Sequence, residues 1–224
     1  MFTRNFKKAF TAAFVLFLFN YSVTAQTSIG FRVGFNLSKW NTEGNNDQNE
    51  NITGIHFAVP LEIKLSNIFS IQPEFNFTQK GSRVMTTTTS GGITTQTDTK
   101  NKINYVEFPL LLRGLIGGER LGFYLQAGPS VGYAAGGSVE SNSKSTVGGV
   151  LQISDKSSKY DFARSNRLDY GVHLGGGLQL GLGSNRLVID VRYLYGLQDF
   201  DKDNNSVKIT NRGIALSAGL MLPF

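Results

Sequence analysis

The sequence predicts an all-β fold, an eight-stranded antiparallel up-and-down transmembrane β-barrel. Three observations predict it. Apolar residues recur at every second position in long segments, the connections between these segments alternate between short and long, and the last segment ends on a bare aromatic residue, Phe224. A strand that crosses a bilayer must leave no unpaired edge there, because no water is present to satisfy its backbone groups. A closed barrel meets that requirement.

Eight segments carry the period-two alternation that is typical of strands. In the first of them, Phe31, Val33 and Phe35 alternate with glycine or polar residues. Each segment is long enough to cross a bilayer at a tilt of about 45°, and bacterial barrels have an even number of strands. The segments cover residues 29–38, 55–65, 69–78, 103–114, 121–133, 168–182, 187–197 and 212–224.

The connections support the same topology. Outer-membrane barrels have short periplasmic turns and long outer loops. If the first strand rises from the periplasm, every long polar connection of this chain falls on the outside. The short connections are 66–67, 114–120 and 183–185, and the long ones are 40–53, 82–100, 137–166 and 198–209.

The amino terminus has the features of a secretory signal. A basic start precedes an apolar run over residues 9–19, which is too short to span a bilayer as a helix. We expect cleavage before Gln26, so that residues 1–25 are a signal peptide and residues 26–224 are the barrel. Cleavage removes three positive charges and lowers the formal net charge from +6 to about +3. The basic composition is then a weak argument for nucleic-acid binding, and no nucleic-acid partner is expected.

A soluble barrel is the main structural alternative, since it also alternates but points its apolar face inward. Its water-facing side would be rich in lysine and glutamate. Here the polar face is instead crowded with glycine, serine, asparagine and glutamine, which suit a narrow interior. The absence of cysteine removes disulfides, thiolate zinc sites and cysteine nucleophiles from consideration.

Charged residues also fall on the inward-facing side of the predicted strands. A barrel of about eight strands has room only for its own side chains, and an unpaired ion in a dry interior costs several kcal/mol. The pattern therefore predicts an internal network of salt bridges, with an ion path as the alternative. The residues are Arg32, Glu62, Lys64, Glu74, Glu107, Arg113, Asp169, Asp190 and Arg192.

Catalytic and metal-binding signals are weak. Both histidines, His56 and His173, fall in inward register, and no spacing ties either one to a nucleophile. Asp199, Asp201 and Asp203 resemble the start of a calcium loop but lack its glycine and terminal glutamate. We therefore assign no catalytic residue, cofactor or metal ligand, and we expect a protein that is not an enzyme.

The segment 85–99 has a run of threonines and a Gly91-Gly92 pair. Threonine favours strands, and Gly-Gly is a plausible hairpin turn. We expect the third and fourth strands to continue beyond the membrane as a protruding hairpin, whose edges can recruit a partner by strand addition.

Several segments resemble the PorT-type outer-membrane β-barrel family: "IGFRVGFNLS", "FSIQPEFNFTQKG", "INYVEFPLLLR", "FYLQAGPSVGY", "LDYGVHLGGGLQL" and "NRGIALSAGLMLPF". The resemblance covers essentially the whole mature chain. It implies a small barrel similar to OmpX and to the transmembrane part of OmpA. It also implies assembly by the outer-membrane insertion machinery through the last strand, where Leu220, Leu222 and Phe224 form the assembly signal. The family's namesake is linked to protein secretion, and the resemblance carries over no catalytic residue.

The leading hypothesis is a non-enzymatic integral outer-membrane protein whose barrel is a platform. Its loops would engage a secretion component, another surface protein or lipopolysaccharide, and its apolar face would contact outer-membrane lipid. A narrow channel for ions or small solutes is the second hypothesis. A lipid-modifying enzyme that uses His56 is the third.

Overall fold

The computed structural model describes residues 27–43, 49–118, 120–147, 150–202 and 208–224. The proposed signal peptide, residues 1–25, lies outside this part of the chain. Among the described residues, no helix is long and apolar enough to cross a membrane. The described strands are β1 (Thr27–Thr42), β2 (Asn49–Glu50), β3 (Ile52–Lys64), β4 (Phe69–Ser90), β5 (Ile93–Gly117), β6 (Leu121–Val147), β7 (Val150–Lys159), β8 (Leu168–Leu182), β9 (Asn185–Gly196) and β10 (Ile209–Pro223).

Eight of the strands form a closed antiparallel ring, which confirms the predicted barrel. The order around the ring is β1, β3, β4, β5, β6, β8, β9 and β10, and β10 pairs again with β1. Closure is set by the last strand, whose register runs from Thr42 opposite Ile209 to Ser28 opposite Pro223. Because the ring is closed, each of its strands has a neighbour on both sides.

The barrel wall is apolar outside and polar inside. On β1, Phe31, Val33 and Phe35 are about half exposed, whereas Arg32 and Asn36, which alternate with them, are at most 1% exposed. The same alternation runs along the other ring strands. Half-exposed leucines and phenylalanines over a whole wall are unfavourable in water but suit contact with acyl chains.

Tight turns join the strands at one end of the barrel. Between β3 and β4, the hydroxyl of Ser66 accepts hydrogen bonds from the backbone N–H groups of Ile68 and Phe69. The other two turns use glycines in the left-handed region, Gly117 with φ 104° and Gly183 with φ 65°. Glycine suits these positions because it has no Cβ to clash there.

At the other end, β4, β5 and β6 continue past the barrel and carry β7, so that a four-stranded sheet projects from the rim. The predicted hairpin over residues 85–99 is confirmed, with Gly91 and Gly92 at its turn. The prediction of a loop over residues 137–166 is wrong, because β6 runs to Val147 and β7 pairs with it as a second hairpin. Serine, glycine and lysine are frequent there, and both faces meet water, so the segment shows no apolar alternation.

A small apolar core lies where the projecting sheet leaves the barrel. The barrel strands contribute Ile103, Tyr105 and Ala134, and two connecting segments contribute Phe162 and Phe200. Trp40, Tyr160 and Ile209 pack against this core and are partly buried. The core closes the mouth of the barrel at the end that carries the long connections.

Candidate functional site

The centre of the lumen holds two carboxylates between two arginines. Glu74 accepts hydrogen bonds from Arg32 at 2.7 Å and from two nitrogens of Arg192 at 2.6 and 2.8 Å. Asp190 lies 2.9 Å from Arg32 Nη1 and 2.6 Å from Arg192 Nε. The Tyr124 hydroxyl donates to Asp190 at 2.9 Å. Each charge in this cluster therefore has an opposite charge within contact distance.

A second cluster lies below it, towards the end with the short turns. Glu62 pairs with Arg113 at 3.2 Å and also accepts a hydrogen bond from Arg186. Arg113 donates to the Gln179 side-chain oxygen at 2.7 Å, and its guanidinium lies 3.8 Å from the centre of the Tyr124 ring. The ring thus joins the lower cluster to the central one.

A third cluster lies near the outer mouth. The Lys80 ammonium contacts Glu107 and lies 3.1 Å from Asp169 Oδ2. Asn211 donates to the same oxygen of Asp169 at 3.0 Å. The Lys80 ammonium lies over the face of the Tyr105 ring. Tyr105 also belongs to the apolar core, which lies above this cluster. This cluster is the upper limit of the polar interior.

The structure places eight of the nine predicted lumen charges in these three clusters: Arg32, Glu62, Glu74, Glu107, Arg113, Asp169, Asp190 and Arg192. The ninth, Lys64, lies half-buried at the inner mouth, beside a cavity of about 370 Å³ that Phe224 also lines. Two cations, Lys80 and Arg186, were missed because they lie just beyond the predicted segments 69–78 and 187–197. Their even numbering matches the inward side of β4 and β9, which is the signal that could have identified them.

The buried charges of the described residues balance, with five cations and five carboxylates. Removing an ion from water costs several kcal/mol unless the ion is paired. Because the buried charges balance, each can be paired, and the barrel can be filled with its own charged side chains. The arrangement can hold the wall rigid. It offers no exposed reactive group, since each charged side chain in the clusters is at most a tenth exposed.

Both histidines lie within the wall of the lumen. His56 is 3% exposed, and its Nδ1 lies 2.9 Å from the hydroxyl oxygen of Thr78. His173 is 2% exposed. Within the described part of the chain, no group of three or more histidine, aspartate or glutamate residues is placed to hold a metal ion. Asp199 Oδ1 instead accepts the backbone N–H groups of Asp201 and Ile209, and Asp203 lies outside the described residues.

The aromatic side chains above the lumen come from three separate parts of the chain. The Trp40 and Phe200 ring centres are 5.1 Å apart, and those of Tyr160 and Phe162 are 4.9 Å apart. The backbone of Phe200 fixes two connections, because its N–H donates to Ile209 and its carbonyl accepts from Asn166, both at 2.8 Å. We refer to Trp40, Ile103, Tyr105, Ala134, Tyr160, Phe162, Phe200 and Ile209 as the cap.

The projecting sheet is held by ion pairs on its surface. Arg83 on β4 makes a two-pronged contact with Asp98 on β5, at 2.7 and 2.8 Å, and Glu50 on β2 lies 3.5 Å from the same guanidinium. The hydrogen bonds from Arg83 hold the pKa of Asp98 below its ordinary value, and the same bonds raise the pKa of Arg83. A second pair, Lys102 and Glu140 at 3.0 Å, joins β5 to β6.

β7 forms one edge of this sheet. All ten of its residues are exposed, and among the described residues it pairs with β6 alone. Val150, Leu151 and Ile153 near its start are 57–64% exposed. The strand therefore presents unpaired backbone groups together with apolar side chains, a combination that favours pairing with another extended chain.

The residues of the proposed assembly signal lie at the seam of the barrel. Leu222 pairs with Ile29 and faces outward, and Leu220 pairs with Phe31 and is partly buried. Phe224 follows the end of β10, where its N–H donates to Thr27 at 3.0 Å and its side chain is 78% exposed.

A closed antiparallel ring with an apolar outside and a charged inside defines the class of membrane β-barrels. The model of the family "Outer membrane protein beta-barrel domain" matches residues 24–202. The chain belongs to this family, and it is an integral protein of the outer membrane.

Solved structures with a similar fold include Neisserial surface protein A, which is 14% identical with a TM-score of 0.47 over 88% of this chain and 97% of that chain. Ail, the attachment invasion locus protein of Yersinia pestis, is 17% identical with a TM-score of 0.39 over 88% and 99% of the two chains. The N-terminal β-barrel domain of Pseudomonas aeruginosa OprF is 10% identical with a TM-score of 0.41 over 90% and 100%. A comparison with curated proteins gives no match.

Proposed function

We propose that this protein is a non-enzymatic platform, in which a filled barrel anchors a projecting sheet that binds a protein partner outside the membrane. The observation that carries the proposal is the sheet formed by β4–β7, which rises from the rim and ends in the exposed edge strand β7. Such an edge can accept an extended segment of another chain as an additional strand. The PorT-type resemblance makes a component of a protein-secretion system the partner class that we favour.

Two features of the lumen support a platform over a channel. Paired charges fill the interior in three clusters, and the cap lies over the outer end. A conducting path would need these side chains to separate, which costs several kcal/mol for each buried pair that is broken. The burial of His56 supports a non-enzymatic role over a lipid-modifying one, because a substrate would have no direct access to its ring.

Shortening the β6–β7 hairpin tests the platform directly, because it removes most of the exposed edge strand. Residues 142–155 are replaced by a two-residue turn between Ser141 and Lys156, which face each other across β6 and β7. A photocrosslinking amino acid at Ser157 on β7 then reports the partner in intact cells, and the same amino acid at Ser66 in an inner turn is the control. We expect crosslinks and secretion to be lost while the barrel still shows the gel mobility of a folded protein. A shortened variant with wild-type crosslinks and wild-type secretion would contradict the proposal.

Planar-bilayer recording separates the platform from the channel. We expect no steady conductance from the wild-type protein. A steady conductance that changes in Arg113→Gln or Glu107→Gln would favour the channel instead. Mass spectrometry of membrane lipids distinguishes the platform from a lipid-modifying enzyme. We expect cells with the wild-type protein and cells with His56→Ala to have identical lipid profiles.

A further inference from the structure

The projecting sheet, together with β2 beside it, has an excess of cations, and its carboxylates are already bonded. Each carboxylate forms a hydrogen bond or an ion pair with a neighbouring side chain, and they are Glu50, Asp98, Glu140 and Asp155. Among the described residues, no carboxylate lies within 4.0 Å of the lysines Lys100, Lys144, Lys156 and Lys159. The charge that remains available to a partner is therefore positive.

Two of these lysines, Lys156 and Lys159, lie on the edge strand β7, in the half that is nearer to the barrel. On the β6 side they face Ser141 and Ser138, so the strand already in place supplies no opposite charge. Both lysines are exposed. A strand added to the open side of β7 would lie about 5 Å away, at the same spacing as β6. Carboxylates on such a strand would meet the two ammonium groups directly.

The other half of β7, towards the tip of the hairpin, is apolar. Val150, Leu151 and Ile153 lie there, and each is more than half exposed. Because side chains alternate between the two faces of a strand, Leu151 and Ile153 share one face with Lys159, whereas Val150 and Lys156 lie on the opposite face. The open edge is thus apolar towards its tip and cationic towards the barrel, on both faces.

A second copy of this chain does not supply the complementary strand. Two copies in one membrane have the same orientation and depth, so their β7 strands would meet in parallel, with each lysine beside its equivalent. Like charges at such positions destabilise a sheet. The opposite edge of the projecting sheet is formed among the described residues by residues 85–90 of β4, beyond the last pair with β2, and this segment has no charged residue. The charges of β7 therefore favour a segment of another protein.

We propose that β7 binds an acidic and apolar segment of another protein as an added strand. Carboxylates of this segment lie beside Lys156 and Lys159, and its apolar side chains lie beside Leu151 and Ile153. The added strand runs antiparallel to β7, as every neighbouring pair in this sheet does. Its sequence then has the pattern acidic-x-x-acidic-x-x-apolar-x-apolar, which mirrors the spacing along β7. This inference rests on the proposed platform function and specifies its partner.

Binding of fluorescent peptides tests the charge pattern. The folded protein in phosphatidylcholine nanodiscs is titrated with a ten-residue threonine-based peptide that has glutamate at its second and fifth positions and valine at its eighth and tenth. A basic peptide with lysine in place of both glutamates is titrated in parallel. We expect the acidic peptide to bind roughly tenfold more tightly, because opposed charges of opposite sign stabilise a sheet and like charges destabilise it. Lys156→Gln and Lys159→Gln should each weaken its binding roughly threefold.

Lys144→Gln is the matched control, because it removes another exposed lysine of the same sheet from β6, one strand away from the open edge. It should bind the acidic peptide like the wild type. The double variant Lys156→Glu and Lys159→Glu should reverse the preference, so that the basic peptide binds more tightly. Gel mobility confirms that each variant is folded, and the comparison of the two peptides requires no variant at all.

Equal affinity for the acidic and basic peptides, or a loss in Lys144→Gln as large as at the edge, would overturn the proposal. Equally tight binding of an acidic peptide of the same composition in shuffled order would show attraction to any polyanion, and would also overturn it. In cells, the double glutamate variant should lose the crosslinks at Ser157. Wild-type crosslinks in that variant, with loss in the shortened hairpin, would overturn the acidic partner and leave the platform intact. Wild-type crosslinks in both would overturn the platform as well.

Discussion

The lumen and the cap are adjacent interiors of one barrel, and they are built on opposite principles. The lumen buries five cations and five carboxylates behind an apolar outer wall. The cap buries Phe162, Phe200 and Tyr105 at the point where the chain leaves the membrane. The difference follows from the solvent outside. Acyl chains require apolar side chains on the outer face and leave the inner face for polar ones, whereas water outside favours an apolar interior.

The change can be read along single strands. On β1 the apolar residues are odd-numbered up to Leu37 and face outward, and Trp40 then faces inward. On β5, Phe108 and Leu110 face outward, whereas Ile103 and Tyr105 belong to the cap. The register of β5 against β6 shifts between Asn104 and Tyr105, at the same level. A switch in the parity of apolar residues therefore marks the outer surface of the membrane.

The largest expected effect comes from replacing a carboxylate by an amide in the lumen, and the same replacement in the projecting sheet serves as the comparison. Glu74→Gln leaves Arg32 and Arg192 with Asp190 as their remaining carboxylate, and should lower the free energy of unfolding by about 3–5 kcal/mol. Glu140→Gln removes the ion pair with Lys102. Because the Glu140 side chain is 45% exposed, this change should lower the free energy of unfolding by less than about 1 kcal/mol. Urea unfolding in phosphatidylcholine vesicles measures both. Equal losses would mean that the lumen is wet enough to screen its charges.

A second comparison uses two leucines of similar exposure in different solvents. Leu110 on the barrel wall is 51% exposed and Leu151 on β7 is 60% exposed. Leu110→Arg places a charge against acyl chains and should cost about 2–4 kcal/mol. Leu151→Arg places the same charge in water and should leave stability within about 0.5 kcal/mol of the wild type. The same vesicle assay applies, and a similar cost for both variants would show that the acyl chains do not surround the wall at the level of Leu110.

The sequence predicted the barrel better than it predicted the cap, and the reason is physical. Strand alternation is a local signal, so the number of ring strands and the inward side of Glu62, Glu74 and Asp190 follow from it. Lys80 and Arg186 share that parity but lie beyond the ends assigned to their strands. Trp40, Phe162 and Phe200 meet because separate connections return to one place, and no period in the sequence encodes such a return. The second hairpin was missed because water on both faces removes the need for alternation.

A third prediction concerns the cap itself. Phe200→Ala should loosen the two connections that its backbone joins while the barrel stays folded. A buried phenylalanine replaced by alanine usually costs 3–5 kcal/mol. Here we expect about 2 kcal/mol of local stability, because a cavity of about 360 Å³ already adjoins the ring.

Two measurements report this opening. Amide exchange at Asn166, whose N–H donates to Phe200, should accelerate, and Trp40 emission should shift to the red as its ring meets water. Phe75→Ala on the lipid-facing wall is the control and should leave Trp40 emission in place. A barrel that unfolds as a whole in Phe200→Ala would show that the cap and lumen are one cooperative unit.

The smallest expected effect is a dependence of the projecting sheet on pH. The hydrogen bonds from Arg83 lower the pKa of Asp98, and Lys100 and Lys144 act in the same direction. A carboxyl group whose pKa is lower in the folded state stabilises that state above its ordinary pKa of about 4 and loses this contribution as pH falls through the folded value. We therefore expect the β4–β5 hairpin to open more often at pH 3 than at pH 5.

Amide exchange of the hairpin, corrected for the intrinsic pH dependence of exchange, measures this effect. In Asp98→Asn the difference between pH 5 and pH 3 should shrink, because the carboxyl group that Arg83 contacts is no longer present. A difference as large as in the wild type would contradict this expectation, because the effect would then not come from Asp98. The contrast with the lumen is one of burial, because the Asp98 side chain is 24% exposed to water whereas the Glu74 side chain is fully buried among its ion pairs.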